Sequence, residues 1–184
     1  WLAHPGSVGK PPPGRKLEAR RADGSRCDPG EVGELWMLPA GGPGSTYFYV
    51  GAEPRTDAGG WESVGDMGHL DAEGYLYLAD RKTDMIVTGG ANVFPAEVEA
   101  ALDAHPAVRS SAVIGLPDED LGQRIHAIVD TAGAPVDEAE MRAHLAERLV
   151  RYKVPRSFEW VDEPLRDDAG KVRRPALREA RLSR

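Results

Sequence analysis

Leu78-Ala79-Asp80-Arg81-Lys82-Thr83-Asp84-Met85-Ile86-Val87-Thr88-Gly89-Gly90 is the stretch on which the fold turns. Its middle, Asp80 to Asp84, is charged and lies between two apolar runs that read as strands. The texture of the chain changes across it. Before it, short β-branched and aromatic runs alternate with Gly, Pro and Asp turns. After it, helical periodicity appears. The stretch is therefore expected to join two units, one over residues 1–80 and one over residues 82–184.

Toward the N-terminus, residues 16–22, 34–38 and 46–50 are strand candidates. Asp28-Pro29-Gly30-Glu31, Gly41-Gly42-Pro43-Gly44 and Gly59-Gly60 read as turns or loops between such runs. A hairpin is expected where His69-Leu70 and Tyr75-Leu76-Tyr77-Leu78 flank Asp71-Ala72-Glu73-Gly74, because Gly74 suits a positive φ. Toward the C-terminus, Pro95 opens a helix with Val98, Ala101 and Leu102 on one face, ended by Pro106. Residues 112–114, 125–129 and 158–161 read as strands. Asp137 with Glu140 is a possible capping box for a helix that places Met141, Leu145 and Leu149 on one face. Pro175 starts a short basic helix. The expected fold class is α+β: a β-rich first part, then a small mixed α/β domain of about 100 residues, large enough for a modest core.

Composition agrees with that reading. The chain has 184 residues, 29% charged and 41% apolar, which suits a globular protein with a core. Its 21 glycines and 15 prolines argue for many turns and against a helical bundle or coiled coil. No run approaches the ~20 apolar residues of a membrane span. No signal peptide is visible, and the start at Trp1 suggests a piece of a longer chain. The single Cys27 allows no internal disulfide and fits a reducing, cytoplasmic setting. Net charge is −7, unevenly spread. Residues 1–140 carry 11 basic and 23 acidic groups, a balance of −12, and residues 141–184 carry 12 and 7, a balance of +5. Overall acidity argues against nucleic acid as a partner. The basic end could meet a phosphate-bearing small ligand, or it could be a solvated helix face.

Generic motifs are missing. There is no G-x-x-x-x-G-K-[ST], no G-x-G-x-x-G opening a helix, no H-E-x-x-H, no C-x-x-C and no G-x-S-x-G. The five histidines share no metal-ligand spacing, so no metal site is expected within the chain.

Four ordered segments carry a resemblance instead. They are Gly60-Trp61-Glu62-Ser63-Val64-Gly65-Asp66, the Leu78–Gly90 stretch quoted above, Asn92-Val93-Phe94-Pro95-Ala96-Glu97-Val98-Glu99, and Gly170-Lys171-Val172-Arg173. His105-Pro106-Ala107-Val108, Gly115-Leu116-Pro117-Asp118 and Tyr152-Lys153-Val154-Pro155 lie between them, and Gly30-Glu31-Val32-Gly33-Glu34-Leu35 lies upstream. As a set they resemble the adenylate-forming enzymes: acyl-CoA synthetases, adenylation domains of peptide synthetases, and luciferases. The acyl-CoA ligase branch is the nearest in wording. The resemblance implies the β-rich end of a large AMP-binding domain followed by a complete mobile C-terminal domain. The phosphate loop, the adenine pocket, the Mg²⁺ ligand and most of the acyl pocket of that family are not in this chain, so the chain alone is expected to be inactive. The implied partners are ATP and AMP, coenzyme A, a carboxylic acid of fatty or steroid type, and the missing N-terminal domain.

Roles follow by resemblance, each beside a plainer reading. Asp66 accepts hydrogen bonds from the ribose hydroxyls, as an acceptor-only carboxylate can; otherwise it is an Asp in a turn after Gly65. Arg81 lies near ribose and phosphate, or is a surface Arg beside Asp80 and Asp84. Lys171 is the catalytic residue of adenylation, or a solvated loop Lys. Gly89 and Gly90 line the pantetheine tunnel, or form a plain turn. Thr83 stands at the rotation hinge, where the family usually has Asp or Lys. Ala169 stands where Ser or Thr is common, and Asp167 and Asp168 could weaken the positive potential at Lys171. Arg173, Arg174 or Arg178 could meet coenzyme A phosphates. Two other functions fit the same residues: loading of a carrier-protein thiol, and a non-catalytic interaction module of the same fold.

Overall fold

The computed structural model describes residues 3–42, 55–131, 136–167 and 170–183. The strand expected over residues 46–50 lies outside them. The chain divides into two compact units, Trp1–Thr83 and Asp84–Arg184.

The first unit is a four-stranded antiparallel sheet in the order β1 (Lys16–Arg20), β2 (Gly33–Leu38), β3 (Glu62–Leu70), β4 (Leu76–Arg81). β2 is central and contributes Leu35 and Trp36 to the core. The guanidinium groups of Arg20 and Arg55 lie 4.6 and 5.1 Å from the Trp36 ring centre, so the sheet surface is closed by cation–π contact as well as by apolar area. The β3–β4 hairpin forms as the sequence suggests. Asp71 Oδ1 accepts from the backbone N–H groups of Glu73 and Tyr75 at 2.9 Å each, and Gly74 takes φ +82°. β3 runs back to Glu62, so the Glu62–Asp66 part of the motif is strand, while Gly60, at φ +81°, ends the turn expected at Gly59-Gly60.

The second unit begins with a small hairpin, β5 (Ile86–Thr88) and β6 (Ala91–Val93). Then come α1 (Pro95–Asp103), β7 (Ser110–Asp118), β8 (Gly122–Asp130), α2 (Glu138–Ala146), a 3₁₀ turn at Arg151–Lys153, β9 (Ser157–Val161) and α3 (Arg174–Leu182). β7 and β8 are antiparallel, and β8 and β9 are parallel, giving a mixed three-stranded sheet. Both faces of this sheet are buried. Val113, Ile125, Ala127 and Val129 join Val98, Leu102, Met141 and Leu145 in one core. Ala112, Ile114, Leu116 and Ile128 form the other, with Val172 and Leu177 packed against it. That two-sided burial is why 112–114 and 125–129 read as near-continuous apolar runs.

Capping explains the helix starts. Pro95 occupies the first turn of α1, where a missing N–H costs nothing, and Glu97 complements the positive end of the helix. Asp137 caps α2 by accepting from Ala139 N at 3.2 Å. The Glu140 carboxylate, expected to complete a capping box, sits 3.6 Å from His105 Nε2.

His126 lies in the sheet interior on the face that α3 covers, 7% exposed. Its Nδ1 is 2.8 Å from Ser157 Oγ and its Nε2 is 3.5 Å from Glu159, which Arg181 of α3 grips at 2.6 Å. Burial holds the His126 pKa below its ordinary value; Glu159 opposes that, and Arg181 and Arg124 reinforce it. The unfolded chain therefore binds a proton more readily at this residue than the folded one. Stability is expected to fall as pH drops through about 6.5, the ordinary His range, and to level off below the depressed folded value. Thermal melts of the wild type and His126→Gln between pH 8 and 5 check this: the slope in that window should flatten in the variant.

Candidate active-site elements

Asp66 and Arg81 are brought together. Asp66 is on β3, Arg81 closes β4, and the two are register partners. The pairing depends on a bulge. An unbroken register from Leu70 opposite Leu76 would set Asp66 against Asp80, carboxylate against carboxylate. The shift between Met67 and Gly68 sets it against Arg81 instead. Gly65 has φ +82°, and Lys82 N donates to its carbonyl at 3.0 Å. Asp66 is half-buried and Arg81 exposed. Burial raises the Asp66 pKa above its ordinary value, Arg81 pulls it down, and Asp80 adds to the rise. A half-buried carboxylate next to an exposed guanidinium can accept from vicinal hydroxyls while the cation meets an anion.

Glu34 organises the same end of the sheet, a role that sequence reasoning missed although the residue lies in a quoted motif. Its buried carboxylate accepts from Arg55 Nη1 at 2.8 Å, Ser63 Oγ at 2.7 Å and Lys82 Nζ at 2.9 Å. Burial pushes its pKa up, but the bonds from Lys82 and Ser63 and the charges of Lys82 and Arg55 outweigh this and hold it low. Lys82 is thereby fixed to β2, one residue before Thr83. Thr83 is exposed and is the last residue of the first unit.

In the second unit, Gly89 and Gly90 form the two-residue turn of the β5–β6 hairpin, with φ +55° and +82°. Two successive positive φ values in a two-residue hairpin loop favour glycine at both positions. Gly89 N donates to Leu121 O at 3.0 Å. A Cβ on Gly89 would meet Leu121 Cδ2 at 3.2 Å, whereas one on Gly90 would meet open space. The turn borders a cleft of about 1100 Å³ whose lining includes Gly89, Leu121, Ile125, Leu149 and Tyr152.

Lys171 is exposed and closes a short loop. Asp167 N donates to Lys171 O at 3.1 Å, Lys171 N to Asp167 Oδ1 at 2.9 Å, and Gly170 N to Asp167 O at 2.7 Å, with Gly170 at φ +73°. Asp167 thus shapes the loop, and its carboxylate also faces Arg173 at 3.6 Å. Asp168 and Ala169 lie outside the described residues. The basic end is more structural than the sequence suggested. Arg174 binds Asp84 at 3.1 Å and Glu99 at 2.7 Å, and Arg178 Nε donates to Gly115 O at 2.9 Å. Arg174 is held between two acidic partners, whereas Arg178 uses its Nε on a backbone carbonyl and stays exposed. Arg173 keeps 80% of its side chain exposed. Among the described residues no His, Cys, Asp and Glu side chains gather as a donor set for Mg²⁺. No helix among them is long and apolar enough to cross a membrane.

Residues 97–171 match the AMP-binding enzyme C-terminal domain. The chain is 39% identical over 175 residues to a 2-succinylbenzoate–CoA ligase of Bacillus licheniformis, covering 94% of this chain and 36% of the relative. It is 34% identical over 177 residues to a fatty acid–[acyl-carrier-protein] ligase of Streptomyces coeruleorubidus, covering 94% of this chain and 34% of that one. Among solved structures, the o-succinylbenzoate CoA synthetase of Bacillus subtilis in complex with its acyl-adenylate intermediate matches with a TM-score of 0.81 and 36% identity, over 96% of this chain and 36% of that one. The chain spans about a third of the length of the relatives it matches.

Proposed function

The chain belongs to the adenylate-forming enzymes, as their C-terminal portion, and from that premise we propose that it is part of an AMP-forming acid–thiol ligase. In the first step a carboxylate oxygen of the acid attacks the α-phosphorus of ATP, the bond to the bridging oxygen breaks, and pyrophosphate leaves. In the second step the thiol of coenzyme A attacks the acyl carbon, loses its proton, and displaces AMP. The observation that carries this reading is the 36% identity to a synthetase that holds its acyl-adenylate, sustained over 96% of this chain.

In this reading Asp66 accepts from the ribose hydroxyls, and the facing Arg81 meets the phosphate side of the nucleotide. Lys171 offers its ammonium to the oxygens around the reacting phosphorus. The second unit then turns about Thr83, and the Gly89–Gly90 turn comes to line the passage of the pantetheine thiol. The position of Thr83 at the boundary of the two units supports its place as the hinge. The paired positive φ values support a close approach of a ligand chain at the turn. ATP with Mg²⁺ and coenzyme A are the proposed co-substrates; Mg²⁺ would screen phosphate charge from ligands outside this chain.

The acid is the open variable. The wording of the chain hints at fatty or steroid acids, while matched relatives are named for 2-succinylbenzoate and for a fatty acid. The carrier-protein relative also favours a second reading in which the thiol belongs to an acyl carrier protein. ATP–pyrophosphate exchange by the full-length gene product, run with 2-succinylbenzoate, fatty acids and steroid acids, tests the first step. Exchange with at least one class is expected, and none with any class contradicts the proposal. Asp66→Ala in the same protein is expected to raise the KM for ATP about 10- to 100-fold, the worth of hydrogen bonds to a charged group. The KM for the acid should change far less.

A further inference from the structure

Glu99 is a buried acid on α1 whose carboxylate is a meeting point of three elements. It is 4% exposed. Oε1 accepts from Val113 N of β7 at 2.9 Å and from Arg174 Nε at 3.1 Å, and Oε2 accepts from Arg174 Nη2 at 2.7 Å. Arg166 Nη2 stands 4.0 Å from Oε2. Arg174 is the first residue of α3, and its remaining nitrogen, Nη1, binds Asp84 at 3.1 Å.

Arg166 and Arg174 bracket the Lys171 loop, one on each side. Both reach the same carboxylate, and Arg166 Nη1 also donates to Gly170 O at 3.2 Å. The two-bond Arg174–Glu99 fork fixes orientation as well as distance, which a single flexible contact would not. Packing alone gives no reason for this arrangement. A neutral glutamine would satisfy the Val113 amide and fill the site without the cost of burying charge, so the amide alone does not call for an acid. What the charged node adds is a fixed frame at both ends of one short loop.

We propose that Glu99 is a positioning residue for Lys171: through Arg166 and Arg174 it clamps both flanks of the loop that presents the Lys171 ammonium in the adenylation step. The inference rests on the reading of Lys171 as the adenylation residue. Preorganised cations stabilise a transition state only when held to within about 0.5 Å of the productive place. A lysine on an exposed loop needs such a frame, because its own four-carbon stem supplies none.

Glu99→Gln keeps the shape and an acceptor for Val113 N but removes the charge. Arg174→Lys keeps the charge but loses the fork, and serves as the second variant should the first fold poorly. Two measurements are needed. In the 184-residue chain, hydrogen exchange at the Gly170 and Lys171 amides should quicken about tenfold or more in either variant, while Ile128 and Val129 keep their protection. In the full-length gene product, acyl-adenylate formation should fall about 10- to 100-fold, with thioester formation from supplied acyl-adenylate held within about threefold. Unchanged exchange at the loop overturns the clamp. Equal loss of both half-reactions overturns it too, since damage to the fold as a whole would do that. Adenylation unchanged in Glu99→Gln but lost in Lys171→Ala overturns the inference and leaves the functional reading standing. Adenylation unchanged in both variants overturns the catalytic reading of Lys171 and, with it, the positioning role.

Discussion

Replacing Lys171 with alanine is expected to slow acyl-adenylate formation by the full-length gene product about 100- to 1,000-fold, the usual loss for one preorganised donor at a developing anion. Thioester formation from supplied acyl-adenylate should stay within about threefold. The asymmetry follows from the chemistry of the two steps. Negative charge gathers on oxygens around phosphorus only in the first. In the second the reacting centre is an acyl carbon, and in the proposed turn about Thr83 a different face of the second unit is presented. Lys171 suits the first role because its side chain is exposed while its backbone is held by Asp167 in both directions. Lys171→Arg should rescue poorly, because a planar fork distributes its donors differently from a compact ammonium. Single-turnover measurements of each half-reaction decide the matter, and equal loss in both contradicts the role.

Leu102→Ala is expected to be the most damaging of the simple core truncations, by about 3 kcal/mol. Leu102 is 0% exposed on α1 and belongs to the cluster that includes Val98, Met141 and Leu145. Its removal takes away transfer energy and leaves a cavity among side chains fixed by two helices and a sheet, which can relax only in part. Leu182→Ala, at a residue 50% exposed in the last turn of α3, should change stability by less than about 0.5 kcal/mol. Denaturant melts of the 184-residue chain with both variants check the contrast. Similar losses for the two would contradict the burial on which the core is drawn.

Local patterns in the sequence carried much of the fold, and the long-range chemistry escaped it. The Asp71–Gly74 hairpin, the Pro95 helix and the Asp137 cap are written in neighbouring residues, so they are legible. The Gly89–Gly90 turn was legible as a turn but not as the tip of a hairpin, because the strands on either side are three residues long and show no period. Asp66 opposite Arg81 depends on a bulge at Met67 and Gly68 that no hydrophobic pattern marks. The ion pairs were harder still. Glu34 meets Lys82 across 48 residues, and Glu99 meets Arg174 across 75. Nothing in either local sequence separates these charges from solvated ones. The basic C-terminal stretch therefore read as a face for phosphates or for solvent, whereas Arg174 and Arg181 turn inward to α1 and β9, and the exposed Arg178 bonds a backbone carbonyl of β7. Lys171 and Arg173 are the cations of that stretch described as exposed in the loop before α3.

The most direct test of the ligase reading is the stoichiometry of AMP and thioester formed by the full-length gene product with ATP, Mg²⁺, coenzyme A and a panel of carboxylic acids. The reading predicts one AMP released for each acyl-CoA formed with at least one acid, and none when coenzyme A or the acid is withheld over many turnovers. AMP release that ignores the acid, or no AMP with any acid from a folded protein, would contradict it.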